Sequence, residues 1–274
     1  MNPVRRLGLV AHPDRAEATD LVAHTRAWAT EHGIDAPDLG DGGEAVDGSF
    51  DAILSFGGDG TMLRTVDLVA DADVPVLGVN CGQMGYLTGV DPGELDDALE
   101  RLRTGDFAVS ERTVLAVRVE STGPAGGTWT ALNEAVVEKP SPGRLVRFEV
   151  VINGAPFTSY AADGVIVATP TGSTAYSFSV GGPIVSPRLA CLLMTPVSPH
   201  MLFDRTLVLD DTDALELHVT ERPALLTIDG RELGELEPGA VVRCGCGPHP
   251  ARMITLGPRD FHQILKAKFN LADR

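Results

Sequence analysis

Ala52-Ile53-Leu54-Ser55-Phe56-Gly57-Gly58-Asp59-Gly60-Thr61 is the stretch on which the fold turns. An apolar run of strand length meets three glycines around one carboxylate, and helical spacing follows. Glycines let backbone N–H groups approach phosphate oxygens closely, and a helix N-terminus carries partial positive charge. The junction therefore reads as a nucleotide phosphate loop built from Gly57, Gly58, Gly60 and Thr61, with Thr61 placed to cap the helix. Asp59 is the odd member. A carboxylate repels phosphate unless it binds a metal, orients a hydroxyl or removes a proton, which makes Asp59 the foremost catalytic candidate.

Working outward, the first hundred residues alternate between two patterns. Leu7 to Ala11, Ala52 to Phe56 and Val74 to Val79 are short apolar runs, whereas Ala16 to His32, Thr61 to Ala70 and Glu94 to Arg103 have helical spacing. Strands separated by helices of this length predict a doubly wound, Rossmann-like α/β domain with a parallel sheet. Ligands of such sheets bind at the carboxyl ends of the strands, where Gly57 to Thr61 lies.

From Phe107 to about Ile254 helical periodicity nearly vanishes. Val114 to Val119, Ala135 to Val137, Phe148 to Ile152, Val165 to Ala168, Leu207 to Leu209 and Ala224 to Ile228 are short and β-branched, and Asn153-Gly154 is a hairpin turn. This predicts a mostly antiparallel, β-sandwich-like domain. The tail regains helical spacing through Phe261, Ile264, Leu265 and Phe269. One short helix cannot bury its face alone, so it is expected to return to the first domain. The expected organisation is an α/β phosphate-loop domain at residues 1–106 plus 258–274 and a β-rich dinucleotide-binding domain at residues 107–257.

Composition narrows the classes. With 22 Lys and Arg against 38 Asp and Glu, the net charge is −16, which argues against nucleic acid or an anionic membrane as partner. Thirty glycines among 274 residues exceed the usual ~7% and gather in motifs, as loops that approach a ligand do. Asp35, Asp38, Asp41, Glu44, Asp47 and Asp51 sit among glycines and read as a solvated loop. Cys81, Cys191, Cys244 and Cys246 lack CxxC spacing and read as reduced, mostly buried thiols. Met1 to Val10 lacks the apolar stretch of a signal peptide, and no run of 18 apolar residues occurs, so a cytoplasmic enzyme is the default.

Two further constellations carry chemistry. In Asp163 to Ser177 a strand runs into hydroxyls and glycine (Thr169-Pro170-Thr171-Gly172-Ser173-Thr174), and Thr174 to Ser179 is then placed to begin a short helix. Such a loop can bind a nucleotide through hydroxyl and backbone N–H groups, with Tyr176 as an aromatic surface. Asn133 and Glu134 interrupt an apolar strand and need partners, either neighbouring polar groups or the ribose and base edge of a ligand.

Taken together, Gly57 to Arg64 (GGDGTMLR), Asn80 to Leu87 (NCGQMGYL), Leu132 to Lys139 (LNEAVVEK), Asp163 to Val185, Ser198 to Leu209 and Ile228 to Arg231 (IDGR) resemble the bacterial-type NAD kinases over nearly the whole length. The resemblance implies transfer of the ATP γ-phosphoryl group to the 2′-hydroxyl of the adenosine ribose of NAD, with Mg²⁺ as divalent cation and inorganic polyphosphate as an alternative donor. Asp59 matches the acid that accepts the hydroxyl proton, or else holds the metal. Asn133 and Glu134 match contacts to the adenosine half, and Thr174, Ala175, Tyr176, Ser177 and Ser179 the adenine-binding segment. Asp163 matches the carboxylate at the nicotinamide end, and Arg64, Arg144 and Arg231 fall near basic or polar contacts. The family also implies a homo-oligomer, dimer or tetramer. The chain departs from the family at Tyr86, where phenylalanine is common, and at the proline-rich segment Pro140 to Arg144. A lipid kinase with a similar first loop would leave Asn133, Glu134 and the hydroxyl run unexplained, and a dinucleotide sensor without turnover would not need Asp59.

Overall fold

The computed structural model describes residues 2–40, 46–82, 85–257 and 261–271. Asp41 and Glu44 of the acidic stretch, and Gln83 and Met84 of the Asn80 to Leu87 motif, lie outside the described residues. The chain divides into two units, Met1–Glu111 with Ala251–Arg274, and Arg112–Pro250.

In the first unit the order is β1 (Leu7–Ala11), α1 (Ala16–Glu31), β2 (Ala52–Gly57), α2 (Asp59–Leu68), β3 (Val76–Asn80), α3 (Leu95–Thr104) and β4 (Ala108–Arg112). β1, β2 and β3 pair in parallel, and strand alternation splits their side chains between two faces. Leu7, Leu9, Ala52, Leu54, Phe56, Leu77 and Val79 pack with Ala18, Val22 and Ala29 of α1 and Leu95, Leu99 and Leu102 of α3. On the opposite face the Thr65 hydroxyl of α2 donates to Ser55 Oγ of β2 at 2.9 Å. Covering both faces explains why these strands read as continuous apolar runs rather than as alternating ones.

In the second unit β5 (Leu115–Glu120), β6 (Gly127–Ala131), β7 (Glu134–Glu138), β8 (Val146–Ile152), β9 (Ala155–Ala162), β10 (Gly164–Ala168), the one-turn helix α4 (Tyr176–Ser179), β11 (Cys191–Val197), β12 (Leu207–Asp210), β13 (Leu215–Val219), β14 (Ala224–Ile228), β15 (Arg231–Leu236) and β16 (Val241–Cys246) build two six-stranded sheets. Their orders are β12-β11-β10-β7-β14-β15 and β6-β5-β16-β13-β8-β9, with antiparallel pairing. One core holds Val117, Phe148 and Leu217 of one sheet against Val137, Val165 and Leu226 of the other, so the two form a sandwich. The first sheet is also covered on its outer face, where Val136, Ile166 and Leu193 meet Val180 and Val185 from the segment that follows the hydroxyl run. Asn153 and Gly154 take φ of 53° and 76°, the conformation a two-residue hairpin needs, and join β8 to β9, whose pairing shifts register once between Val150 and Val151.

β17 (Ala251–Thr255) then joins the first sheet, giving the order β1-β2-β3-β17-β4, and α5 (Phe261–Lys268) belongs to the same unit. Asp35, Asp47 and Asp51 of the acidic stretch have structural work to do. Asp51 accepts the Arg5 and Arg6 N–H groups at 2.7 and 2.8 Å, Asp35 pairs with Arg6 at 3.1 Å, and Asp47 accepts the Ser49 N–H. All four cysteines are free thiols, and burial pushes Cys81 up to about 11. No helix among the described residues is long and apolar enough to cross a membrane.

Candidate active site

β2 ends at Gly57 and α2 begins at Asp59, so the carboxylate stands in the first turn of the helix, where its charge suits the dipole. It faces the loop that follows β3. The Tyr86 N–H donates to one oxygen and the Leu87 N–H to the other, each at 2.9 Å. The loop comes so close that a Cβ on Gly85 would collide with the carboxylate and push it from its place. Thr61 does not cap the helix as its position in the sequence predicted. Gly58 occupies the cap, and Thr61 lies inside the first turn, buried, with its Oγ1 unpartnered among the described residues. Arg64 follows one turn on, half-buried, with its Nε also unpartnered among the described residues.

In the second unit Asn133 precedes β7 and Glu134 opens it, and a second aspartate organises them. Asp229 accepts the N–H groups of Leu132, Asn133 and Glu134 at 2.8, 2.8 and 3.0 Å, while its own N–H donates to the Glu134 carbonyl at 3.0 Å. Asp229 takes φ of 46° and Gly230 φ of 78°, forming the tight turn between β14 and β15. Glu134 is 7% exposed, and its Oε2 has no partner among the described residues. Burial first, and the Asp229 charge second, push its carboxyl up to about 7, with the Tyr176 N–H pulling the other way.

The hydroxyl run behaves differently from the sequence expectation. Thr169 donates to the Leu132 carbonyl at 2.5 Å, Ser173 to the Pro170 carbonyl at 2.6 Å, and Ser177 shares a 2.9 Å hydrogen bond with Thr195. Thr174 donates to the Thr171 carbonyl at 3.3 Å. These hydroxyls hold the loop rather than presenting themselves to a ligand. Thr171, which sequence reasoning did not single out, has a buried Oγ1 without a partner among the described residues. Gly172 is pressed against the Asn133 backbone, where a Cβ would collide with the carbonyl. The residues of this loop that remain accessible are Tyr176, 37% exposed, and Phe178, 38% exposed, with half-buried Ala175 and exposed Ser179 beside them.

The structure thus gathers Gly57 to Arg64 about Asp59 in one unit, and Asn133, Glu134 and Thr171 to Ser179 in the other. Asp163, between β9 and β10, forms a 2.6 Å ion pair with Lys139, another residue not singled out from sequence. Arg231 lies over the Trp129 ring at 5.3 Å, and Arg144 is exposed in the proline-rich turn. Lys139 and Asp229 both sat inside quoted motifs, and the Asp-Gly pair at 229–230 was the turn signal that could have found the second of them.

The chain thus carries an α/β unit with an acid held at a strand-to-helix glycine loop, followed in sequence by an antiparallel sandwich. The chain matches the ATP-NAD kinase N-terminal domain over residues 39–107 and the ATP-NAD kinase C-terminal domain over residues 132–256. It is 35% identical to the NAD kinase of Syntrophotalea carbinolica, across 99% of this chain and 100% of that one. It is 36% identical to NAD kinase 1 of Streptomyces avermitilis, across 98% and 88%. Over 81% of this chain and 80% of the relative, it is 42% identical to the NAD kinase of Symbiobacterium thermophilum. The chain belongs to the ATP-NAD kinase family. Among solved structures, its fold is that of yeast NADH kinase complexed with NADH, at TM-score 0.89 and 22% identity over 100% of this chain and 90% of that one. It is also that of an Archaeoglobus fulgidus NAD kinase in complex with ATP, at TM-score 0.78 and 24% identity over 98% and 100%.

Proposed function

We propose that this chain transfers the γ-phosphoryl group of ATP to the 2′-hydroxyl of the adenosine ribose of NAD, giving NADP. The observation that carries this reading is Asp59, a carboxylate fixed through both oxygens by the Tyr86 and Leu87 N–H groups at the mouth of a glycine loop, in a chain of this family. Each oxygen retains a second lone pair for the ribose hydroxyl. Phosphoryl transfer has a loose transition state, so catalysis rests on positioning and electrostatics. An acid already held in place orients the hydroxyl and takes its proton as the bond to phosphorus forms, a contribution of roughly 10²- to 10⁴-fold.

Gly57, Gly58, Gly60 and Thr61 then serve the phosphates, with Arg64 as countercharge. Asn133 and Glu134 receive the adenosine half, Thr174 to Ser179 the adenine with Tyr176 as its surface, and Asp163 the nicotinamide end. Arg144 and Arg231 supply outer polar contacts. Among the described residues no cluster of three or more His, Cys, Asp or Glu side chains is built to hold a metal. That fits Mg²⁺, which keeps several waters and is usually bound through one or two carboxylates plus substrate phosphates. Asp59 is the carboxylate of this loop that would hold it, and the ion would supply neutralisation of phosphate charge. We place the enzyme in the cytoplasm as a homo-oligomer without nucleic-acid or membrane partners. The charge of −16 supports the last point, and the exposed apolar side chains Phe157, Leu202 and Phe203 of the second unit support self-association.

The test is an assay for NADP in which NAD or NADH is crossed with ATP or polyphosphate in the presence of Mg²⁺. Product from NAD and ATP is expected. No product in any of the four combinations would rule out the reading.

A further inference from the structure

We infer that the C-terminal helix is a positioning element for the reaction: through Phe261 and Lys268, α5 holds Tyr86, and through the Tyr86 and Leu87 N–H groups it holds the carboxylate of Asp59. The catalytic half of this inference rests on the kinase reading proposed above. The contacts it uses lie wholly within the first unit.

Asp59 owes its orientation to two N–H groups of a segment that belongs to neither a strand nor a helix. Backbone outside regular structure needs other contacts to keep it ordered. Tyr86 supplies them. Its side chain is 9% exposed, the Phe261 ring meets it edge-on at 6.2 Å and 80°, and the Lys268 ammonium lies 5.1 Å from its ring centre. Phe261 and Lys268 are seven residues apart, two turns of one helix face, so both ends of α5 converge on the same ring.

The rest of the helix is loosely seated. No residue of α5 is fully buried, and a cavity of about 270 Å³ lies beside it, lined by Asn80, Thr88, Asp91, Gln263, Ile264 and Ala267. A helix that only stabilised the unit would bury an apolar stripe. α5 instead spends its aromatic residue and a cation on the tyrosine whose amide grips Asp59. A displacement of about 1 Å at a reacting group can cost on the order of 10²-fold in rate, so slack in this contact would reach the chemistry.

The test uses the full-length enzyme and two independent readings. First, Phe261→Ala should lower kcat about 10-fold while KM for NAD and for ATP stays within about 2-fold. Phe261→Tyr should restore kcat, and Lys268→Met should give a smaller loss that Lys268→Arg restores. In a D59N background the effect of Phe261→Ala should disappear, because both changes act on one group. Second, amide exchange at Tyr86 and Leu87, read by NMR, should accelerate in Phe261→Ala while amides of β2 keep their protection. If Phe261→Ala does not fold, Phe261→Leu replaces it in both arms. Wild-type kcat in Phe261→Ala, or an equal loss in the D59N background, or unchanged exchange at Tyr86 and Leu87 would each overturn the inference. If the wild-type enzyme makes no NADP but exchange at Tyr86 and Leu87 accelerates as expected, the kinase reading fails and the clasp on Asp59 stands.

Discussion

Asp59 and Asp229 solve the same structural problem in different units of the chain. Each carboxylate gathers backbone N–H groups of a distant segment: Tyr86 and Leu87 for Asp59, and Leu132, Asn133 and Glu134 for Asp229. The surroundings differ. Asp59 starts a helix beside glycines, whereas Asp229 sits in a tight turn with positive φ, where its own N–H returns a hydrogen bond to the segment it grips. The comparison teaches that capture of N–H groups alone does not mark a catalytic acid, since by that criterion Asp229 would qualify better. The proposal of Asp59 as that acid rests instead on its place at the carboxyl end of a parallel strand with a helix N-terminus behind it.

The widest separation between the two is expected from replacing each carboxylate in turn. Asp59→Asn should stay folded, lose about 1–3 kcal/mol because its amide leaves one of the Tyr86 and Leu87 N–H groups without an acceptor, and cut kcat by roughly 10²- to 10⁴-fold, which steady-state assays with NAD and ATP will measure. A kcat near wild type would remove Asp59 from the chemistry and leave it a loop clamp like Asp229. Asp229→Ala should show the opposite balance. It abandons three backbone N–H groups, each costing about 1–3 kcal/mol when left without a partner, and loosens the segment that carries Asn133 and Glu134. Loss of several kcal/mol by denaturant unfolding, with a raised KM for NAD, is the expected result.

A smaller effect follows from Glu134, which the Asp229 clamp holds in a buried site. Its folded-state pKa is raised to about 7 from an ordinary 4.5, mainly by burial and then by the Asp229 charge. Between those values the folded protein binds the proton more tightly than the unfolded chain does. Stability therefore falls as pH rises from about 4.5 to about 7 and levels off above that range. The whole span amounts to about 3 kcal/mol. Glu134→Gln should abolish this slope and be the more stable protein at pH 8 but not at pH 4, as unfolding curves at the two pH values will report. Asp229→Asn should lower the Glu134 pKa only in part, because burial, the larger cause, remains.

Both units were legible in the sequence wherever side-chain pattern maps directly onto burial. Ala52 to Phe56 and Val165 to Ala168 read as strands because both faces of their sheets are covered, and Asn153-Gly154 read as a hairpin because few other pairs accept two positive φ values. Ala251–Thr255 looked like one more β segment, since a five-residue run does not reveal which sheet it joins. The glycine loop revealed Asp59 but not its partners, because Tyr86 and Leu87 contribute backbone N–H groups, which every residue except proline carries. The internal partners of the hydroxyl run were hidden for a related reason. Thr169, Ser173 and Ser177 carry the groups a nucleotide needs, and whether carbonyls or hydroxyls of the fold already engage them is decided only by tertiary structure.

Asp163 extends the comparison to a third aspartate, held this time by a side chain rather than by backbone N–H groups. Lys139 donates to it at 2.6 Å, and both side chains are about 30% exposed, at 27% and 31%. Water screens such a pair and two side chains must be ordered to form it, so its worth to folding is under about 1 kcal/mol. If Asp163 meets the nicotinamide end as proposed, the pair matters differently, because Lys139 holds the carboxylate it pairs with. Lys139→Met should therefore leave the unfolding midpoint and kcat close to wild type and raise KM for NAD a few-fold. Lys139→Arg, which keeps the charge, should recover most of the loss. If Lys139→Met instead costs as much stability as Asp229→Ala, the side-chain clamp is a structural device like the backbone one. Asp163 then loses its claim on the substrate.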